Sequence, residues 1–202
     1  MASKKPQIEI SDVVFFEERF DFIQNEILKS NLAISMQYIA FLIKIETDFK
    51  ITGAVEYSIF KNIIQYTASI VEGILNYGLE TAIKKGLVLE SEIMPEEKSY
   101  VEIKPLYKID DVSKIIGAKV EKKYEKFKKS TKFKTVCDAY EKGELIDADL
   151  IKDINNLRDK RNKIHLAGLK KVENYYTKKD INEAFEVATK VIEEVEDIVL
   201  NK

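Results

Sequence analysis

The chain contains no tryptophan, one cysteine and one histidine, and only 3 prolines and 7 glycines among its 202 residues. Each scarcity excludes something. A lone Cys137 forms no intramolecular disulfide and no cysteine-based zinc cluster, and an isolated internal cysteine is expected to be a small core hydrophobe. So few chain breakers leave little room for the tight turns of a sandwich or barrel and favour long helices. The longest apolar run, around Tyr38 to Ile45, is interrupted by Lys44 and falls short of the ~18 uninterrupted apolar residues of a membrane span. Met1 to Ile10 is polar, contains Pro6 and has no apolar signal-peptide core, so a cytoplasmic protein without membrane association is expected. A formal net charge of −2 excludes a whole-molecule basic field and leaves only local patches for contact with nucleic acid.

Apolar residues at helical spacing fill much of what remains. The pattern predicts an all-α bundle of five to six helices in a single domain, 11–202, after a flexible N-terminus, 1–10. A first amphipathic helix is expected from Ser11, with Ser11 or Asp12 as N-cap, to a break at Ser30-Asn31, and a second from Leu32 to Phe49. The longest periodic stretch, about Val55 to Lys85, ends where Gly86 would close a helix. Glu72 sits among its apolar residues, either as a carboxylate at the edge of the buried stripe or as a partner for an arginine. An insertion of mixed character follows, about 87–140. Pro95, Pro105 and the alternation Tyr100-Val101-Glu102-Ile103 suggest an irregular excursion with a short strand pair up to Tyr107. Asp110 to Tyr140 is expected to be helical again. Its lysine-rich part, Lys119 to Lys134, is either a solvated helix face or, with Tyr124, Phe127 and Phe133 interleaved, an RNA-contacting surface. Lys122, Lys123, Lys126, Lys128 and Lys129 are the candidate phosphate contacts.

The chemistry concentrates late in the chain. A helix capped by Asp147 is predicted through Leu150, Ile154, Leu157, Arg161 and Ile164, ending at Ala167-Gly168, so that Arg161 occupies a seam position where the pattern calls for an apolar residue. The adjacent ridge is Ile151, Asn155, Arg158, Asn162 and His165. On a helix advancing about 100° per residue, Arg158 and His165 return to nearly the same face. A guanidinium with fixed charge beside an imidazole that titrates near neutral pH forms a phosphate-handling pair. A last helix opens at Thr177, with Asp180 in a capping-box position, and runs through Ile181, Phe185, Ala188, Ile192, Val195 and Val199.

At Leu157 to His165 the sequence resembles the HEPN superfamily, the higher eukaryote and prokaryote nucleotide-binding domains. These all-helical domains carry an arginine, four to six residues and a histidine near the end of a late helix, and often a Ser-x-x-Glu-like segment in the helix before it. Ser69-Ile70-Val71-Glu72 is similar to that segment, and Arg158, with six residues between it and His165, fits the spacing. The more typical Arg-Asn dipeptide is Arg161-Asn162, which leaves three residues before His165; Arg158 is therefore taken as the motif arginine, with Arg161, Asn162 and Glu72 in support. The resemblance implies a metal-independent endoribonuclease, a toxin or antiphage effector, that needs no cofactor. His165 would act as base or acid and Arg158 would stabilise the anionic transition state. One histidine cannot serve both roles in one step, so the resemblance implies a homodimer that supplies a second His165. The alternative it leaves open is a non-catalytic HEPN module that binds RNA, a nucleotide or a protein partner such as an antitoxin. Ala167 stands two residues past His165, where family toxins silenced by nucleotidyl transfer carry a tyrosine, so that mode of control is not implied.

Overall fold

The computed structural model describes residues 8–109, 113–163 and 176–202, and for 97–109 and 113–122 the backbone alone. The described chain is mostly helical. It comprises α1 (Val13–Glu17), a 3-10 turn (Glu18–Phe20), α2 (Glu26–Asp48), α3 (Ala54–Lys84), α4 (Glu90–Ile93), β1 (Glu96–Ile109), β2 (Ser113–Tyr124), α5 (Phe133–Lys142), α6 (Ala148–Asn162) and α7 (Lys178–Leu200). Among the described residues no helix is long and apolar enough to cross a membrane.

The centre of the bundle is α3, against which α2, α5, α6 and α7 all pack. Its apolar residues recur every three or four positions, and those from Ile59 to Ala82 form the middle of the core. Gly86, at φ 72°, lets the chain turn out of this helix, with Leu87 N donating to Ala82 O and Gly86 N to Ile83 O. Lys85 then donates its ammonium to Ile198 O and Val199 O, satisfying carbonyls at the end of α7. The start of α7 is closed by the predicted capping box: Thr177 Oγ1 accepts from Asp180 N, and the Asp180 carboxylate accepts from Thr177 N.

Two expectations are corrected. The break near the N-terminus does not fall at Ser30-Asn31, which lies inside α2; it falls between Phe20 and Glu26. Phe22 and Ile23 are buried there, and Asn25 starts the new helix by accepting from Leu28 N at 3.1 Å. Ser30 is accommodated because its hydroxyl donates to Glu17 Oε1 at 2.9 Å. The stretch 110–140 is not continuously helical. Residues 113–124 form β2, antiparallel to β1, and a helix resumes only at Phe133. Local lysine content is compatible with a helix, but the Ile115, Ile116, Val120 and Tyr124 run finds a partner strand at 96–109 and pairs with it. Pro105 is tolerated because both strands of a two-stranded ribbon are edges, and the register slips beside it, between Pro105 and Tyr107.

Tight packing of α3 against α5 and α7 is enforced at Gly78. A Cβ there would collide with Tyr140 Oη and stand 2.7 Å from Val195 Cγ1. Tyr140 cannot withdraw, because it is fully buried and its hydroxyl donates to Leu75 O at 2.9 Å. Gly78→Ala is therefore expected to destabilise the fold by about 1–3 kcal/mol, read as a lower denaturant midpoint. A second prediction concerns Asp180. Burial acts to raise its pKa, but hydrogen bonds from Lys160 and Thr177 outweigh this and hold it below the ordinary 3.8. A depressed native pKa means the group stabilises fully above its unfolded value and loses that contribution as pH falls through the native one. The melting temperature gap between the native chain and Asp180→Asn should therefore be wide at pH 7 and shrink on acidification below about pH 4.

Candidate functional site

Helix α6 begins as expected, with Asp147 accepting from Asp149 N and Leu150 N, and ends at Asn162 with Lys163 as C-cap. Leu150, Ile154 and Leu157 are buried, and the seam they form carries Arg161 toward α3. There Arg161 Nη2 meets Glu72 Oε2 at 3.1 Å, with the two side chains 33% and 25% exposed. The apolar periodicity thus places a guanidinium against the central helix, and a carboxylate on that helix receives it. Of the two readings left open for Glu72, the arginine partner is the one observed, and the arginine is Arg161.

Arg158 is held differently. Its side chain is 14% exposed. Its Nη1 donates to Asn155 Oδ1 at 2.6 Å and its Nη2 to Asp159 Oδ1 at 2.9 Å. Asn155 is itself anchored, donating from Nδ2 to Ile151 O at 3.1 Å. The charge of Arg158 lies close enough to Cys137 to favour its thiolate, yet burial dominates and pushes that thiol up to about 12. Cys137 is a buried, inert core residue. Asn162 is exposed. The predicted continuation through Ile164 to Ala167-Gly168 is corrected, since α6 ends at Asn162; His165 lies beyond that end and outside the described residues, so the helical face predicted to carry both Arg158 and His165 reaches only Arg158.

A cleft of about 320 Å³ opens along α3 beside the Glu72–Arg161 pair. Ser69, Glu72, Asn76 and Glu80 recur at spacings of three and four, forming a polar stripe on α3 with Gly73 beside it. Facing them are Asn25 and Leu28 from the start of α2, and Phe127 and Lys129 from the segment after β2. That segment is fastened by Phe127 N donating to Glu90 Oε1 at 2.7 Å. Lys129 is thus the candidate lysine that joins the Ser69–Glu72 segment at one cleft. Lys123, Lys126 and Lys128 are exposed elsewhere on this stretch, and Lys122 lies in β2 with its side chain outside the described residues. Asn76 and Tyr77 are not among the residues singled out from sequence, and the polar stripe on α3 is the signal for Asn76. Phe127 is expected among the aromatics interleaved with the lysines, but its place at this cleft depends on the course of the hairpin.

Beside α6, Lys160 bridges Asp180 and Glu183, each at 2.7 Å, and ties the helix to α7. Burial lowers its pKa and the two carboxylates raise it, with a net increase, so it is a structural cation rather than a proton donor near neutral pH. Among the described residues no three histidine, cysteine or acidic side chains are grouped to hold a metal ion. Compared with protein-family models, curated proteins and solved structures, the chain matches none of them.

The Glu72–Arg161 pair predicts a measurable coupling. In a double-mutant cycle with Glu72→Gln and Arg161→Gln, unfolding free energies should show an interaction of roughly 1 kcal/mol, limited by partial solvent screening. Additive effects would mean that the pair does not hold α6 to α3.

Proposed function

We propose that this chain is an RNA-cleaving domain of HEPN type, acting without metal at a site that includes Glu72, Arg158, Arg161, Asn162 and His165. One observation supports this above the others: the ion pair at 3.1 Å joining Glu72, of the Ser-x-x-Glu segment, to Arg161, of the arginine- and histidine-bearing segment. Two sequence fragments separated by 89 positions in the chain, 161 minus 72, are in contact. A carboxylate fixes the guanidinium's direction, and a pre-aimed cation stabilises charge developing on the phosphoryl oxygens without reorganisation. In the reaction a base removes the proton of a ribose 2′-hydroxyl, the 2′-oxygen bonds to phosphorus, and the bond to the 5′-oxygen breaks. The leaving 5′-oxygen takes a proton from an acid, and the product ends in a 2′,3′-cyclic phosphate. His165 of each of two chains supplies the base and the acid, so the reading requires a homodimer. Exposed Lys123, Lys126, Lys128 and Lys129 would hold the RNA backbone. A toxin or antiphage role is the physiological setting in which such an activity is most readily placed.

A second reading is a non-catalytic HEPN module that binds RNA, a nucleotide or a protein partner. It is favoured by the engagement of Arg158, whose guanidinium already donates to Asn155 and Asp159.

Incubating purified protein with RNA in the presence of a chelator separates the two. Cleavage to products with a 2′,3′-cyclic phosphate end is expected, with His165→Ala reducing the rate at least 100-fold. RNA binding without any cyclic-phosphate product would favour the second reading, and cleavage that persists in His165→Ala would remove that residue from the mechanism.

A further inference from the structure

Helices α2 and α7 both lie on α3, and between them runs an apolar trench of about 280 Å³ remote from the Glu72–Arg161 cleft in its lining. Its floor is Thr67 and Ile70 of α3. One wall is Met36, Ile39, Ala40 and Ile43 of α2, and the other is Phe185, Ala188 and Ile192 of α7. Small residues at Ala40 and Ala188 leave room between the walls. Thr67 adds no unmet polar group, since its hydroxyl donates to Ile63 O at 2.8 Å. The trench spans eight residues on each wall, from Met36 to Ile43 and from Phe185 to Ile192, or about 10 Å of helix.

Its two ends differ. Beyond the end toward the start of α7, Lys178 bonds Glu46 at 3.0 Å, and neither residue belongs to the lining. At the other end stands Arg19, itself a lining residue beside Phe16. Its nearest carboxylate, Glu193, is 3.9 Å away, and both side chains are well exposed. A loosely engaged guanidinium at the mouth of an apolar slot is complementary to one kind of molecule, an unbranched apolar chain ending in an anion.

We propose that this trench binds a medium-chain aliphatic carboxylate, with the alkyl chain between α2 and α7 and the head group on Arg19. An amphipathic helix is a poorer match than an alkyl chain, because the slot is only about 10 Å long. The site shares no lining residue with the cleft at Glu72, so its occupancy does not depend on RNA cleavage.

The test is a homologous series, hexanoate, octanoate and decanoate, titrated into the full chain and followed by isoleucine methyl shifts in NMR. Affinity should rise about fourfold per methylene until the trench is full, from the transfer free energy of a buried CH₂. Shifts should centre on Ile39, Ile43, Ile70 and Ile192. Arg19→Gln should weaken octanoate about three- to fivefold and leave octanol unchanged. Ala188→Leu should abolish binding with the melting temperature retained; if that variant fails to fold, Ala40→Leu fills the same slot from the other wall. No dependence on chain length, or equal loss of octanoate and octanol in Arg19→Gln, would overturn the proposal.

Discussion

Everything in this molecule is arranged around the burial of α3. A helix of 31 residues whose apolar side chains face several directions is stable in water only when other elements cover it. Helices α2, α5, α6 and α7 do so, and three of them satisfy their first turn through a side-chain cap: Asn25 at α2, Asp147 at α6, and the Thr177–Asp180 box at α7. Where the covering helices come closest, the backbone of α3 must be a glycine. Gly78 lies against Tyr140 and Val195, and the Tyr140 hydroxyl reaches over it to Leu75 O.

The same constraint creates the candidate site. A central helix covered on most sides has one narrow strip left for polar side chains, and on α3 that strip carries Ser69, Glu72, Asn76 and Glu80. A basic residue on a covering helix that points inward needs a partner, since a charge buried without one costs several kcal/mol. Arg161 meets it at Glu72. Arg158, one ridge away, is out of reach of α3 carboxylates in the contacts observed and is satisfied locally by Asn155 and Asp159. Two arginines three positions apart thereby acquire different work: one locks two helices, and the other is braced on its own helix.

The long helices were legible because their apolar residues repeat strictly and their ends carry strong signals. Ala54–Lys84 begins and ends within one residue of the expected Val55–Lys85, and the Thr177–Asp180 box stands where its residues predicted. The failures occurred where local pattern was weak and distant contacts decided. Phe22 and Ile23 fit a helical repeat, yet the core takes both by bending the chain before Asn25. The lysine-rich stretch fits a solvated helix, yet residues 113–124 pair with 96–109, because strand formation depends on a partner that no local window contains.

Composition and periodicity by themselves determined that this chain is a helical bundle, where α3 and α7 begin and end, and that Arg158 and Arg161 stand on neighbouring ridges of one helix. Those properties follow from short-range rules: helix geometry, capping, and the need to hide apolar side chains. Which arginine meets Glu72, which lysine reaches the cleft, and that an apolar trench remains between α2 and α7 were decided only by the tertiary structure. The reason is geometric. Side chains far apart in the chain become partners through the angle and spacing of packed helices, and these are set by the whole core at once.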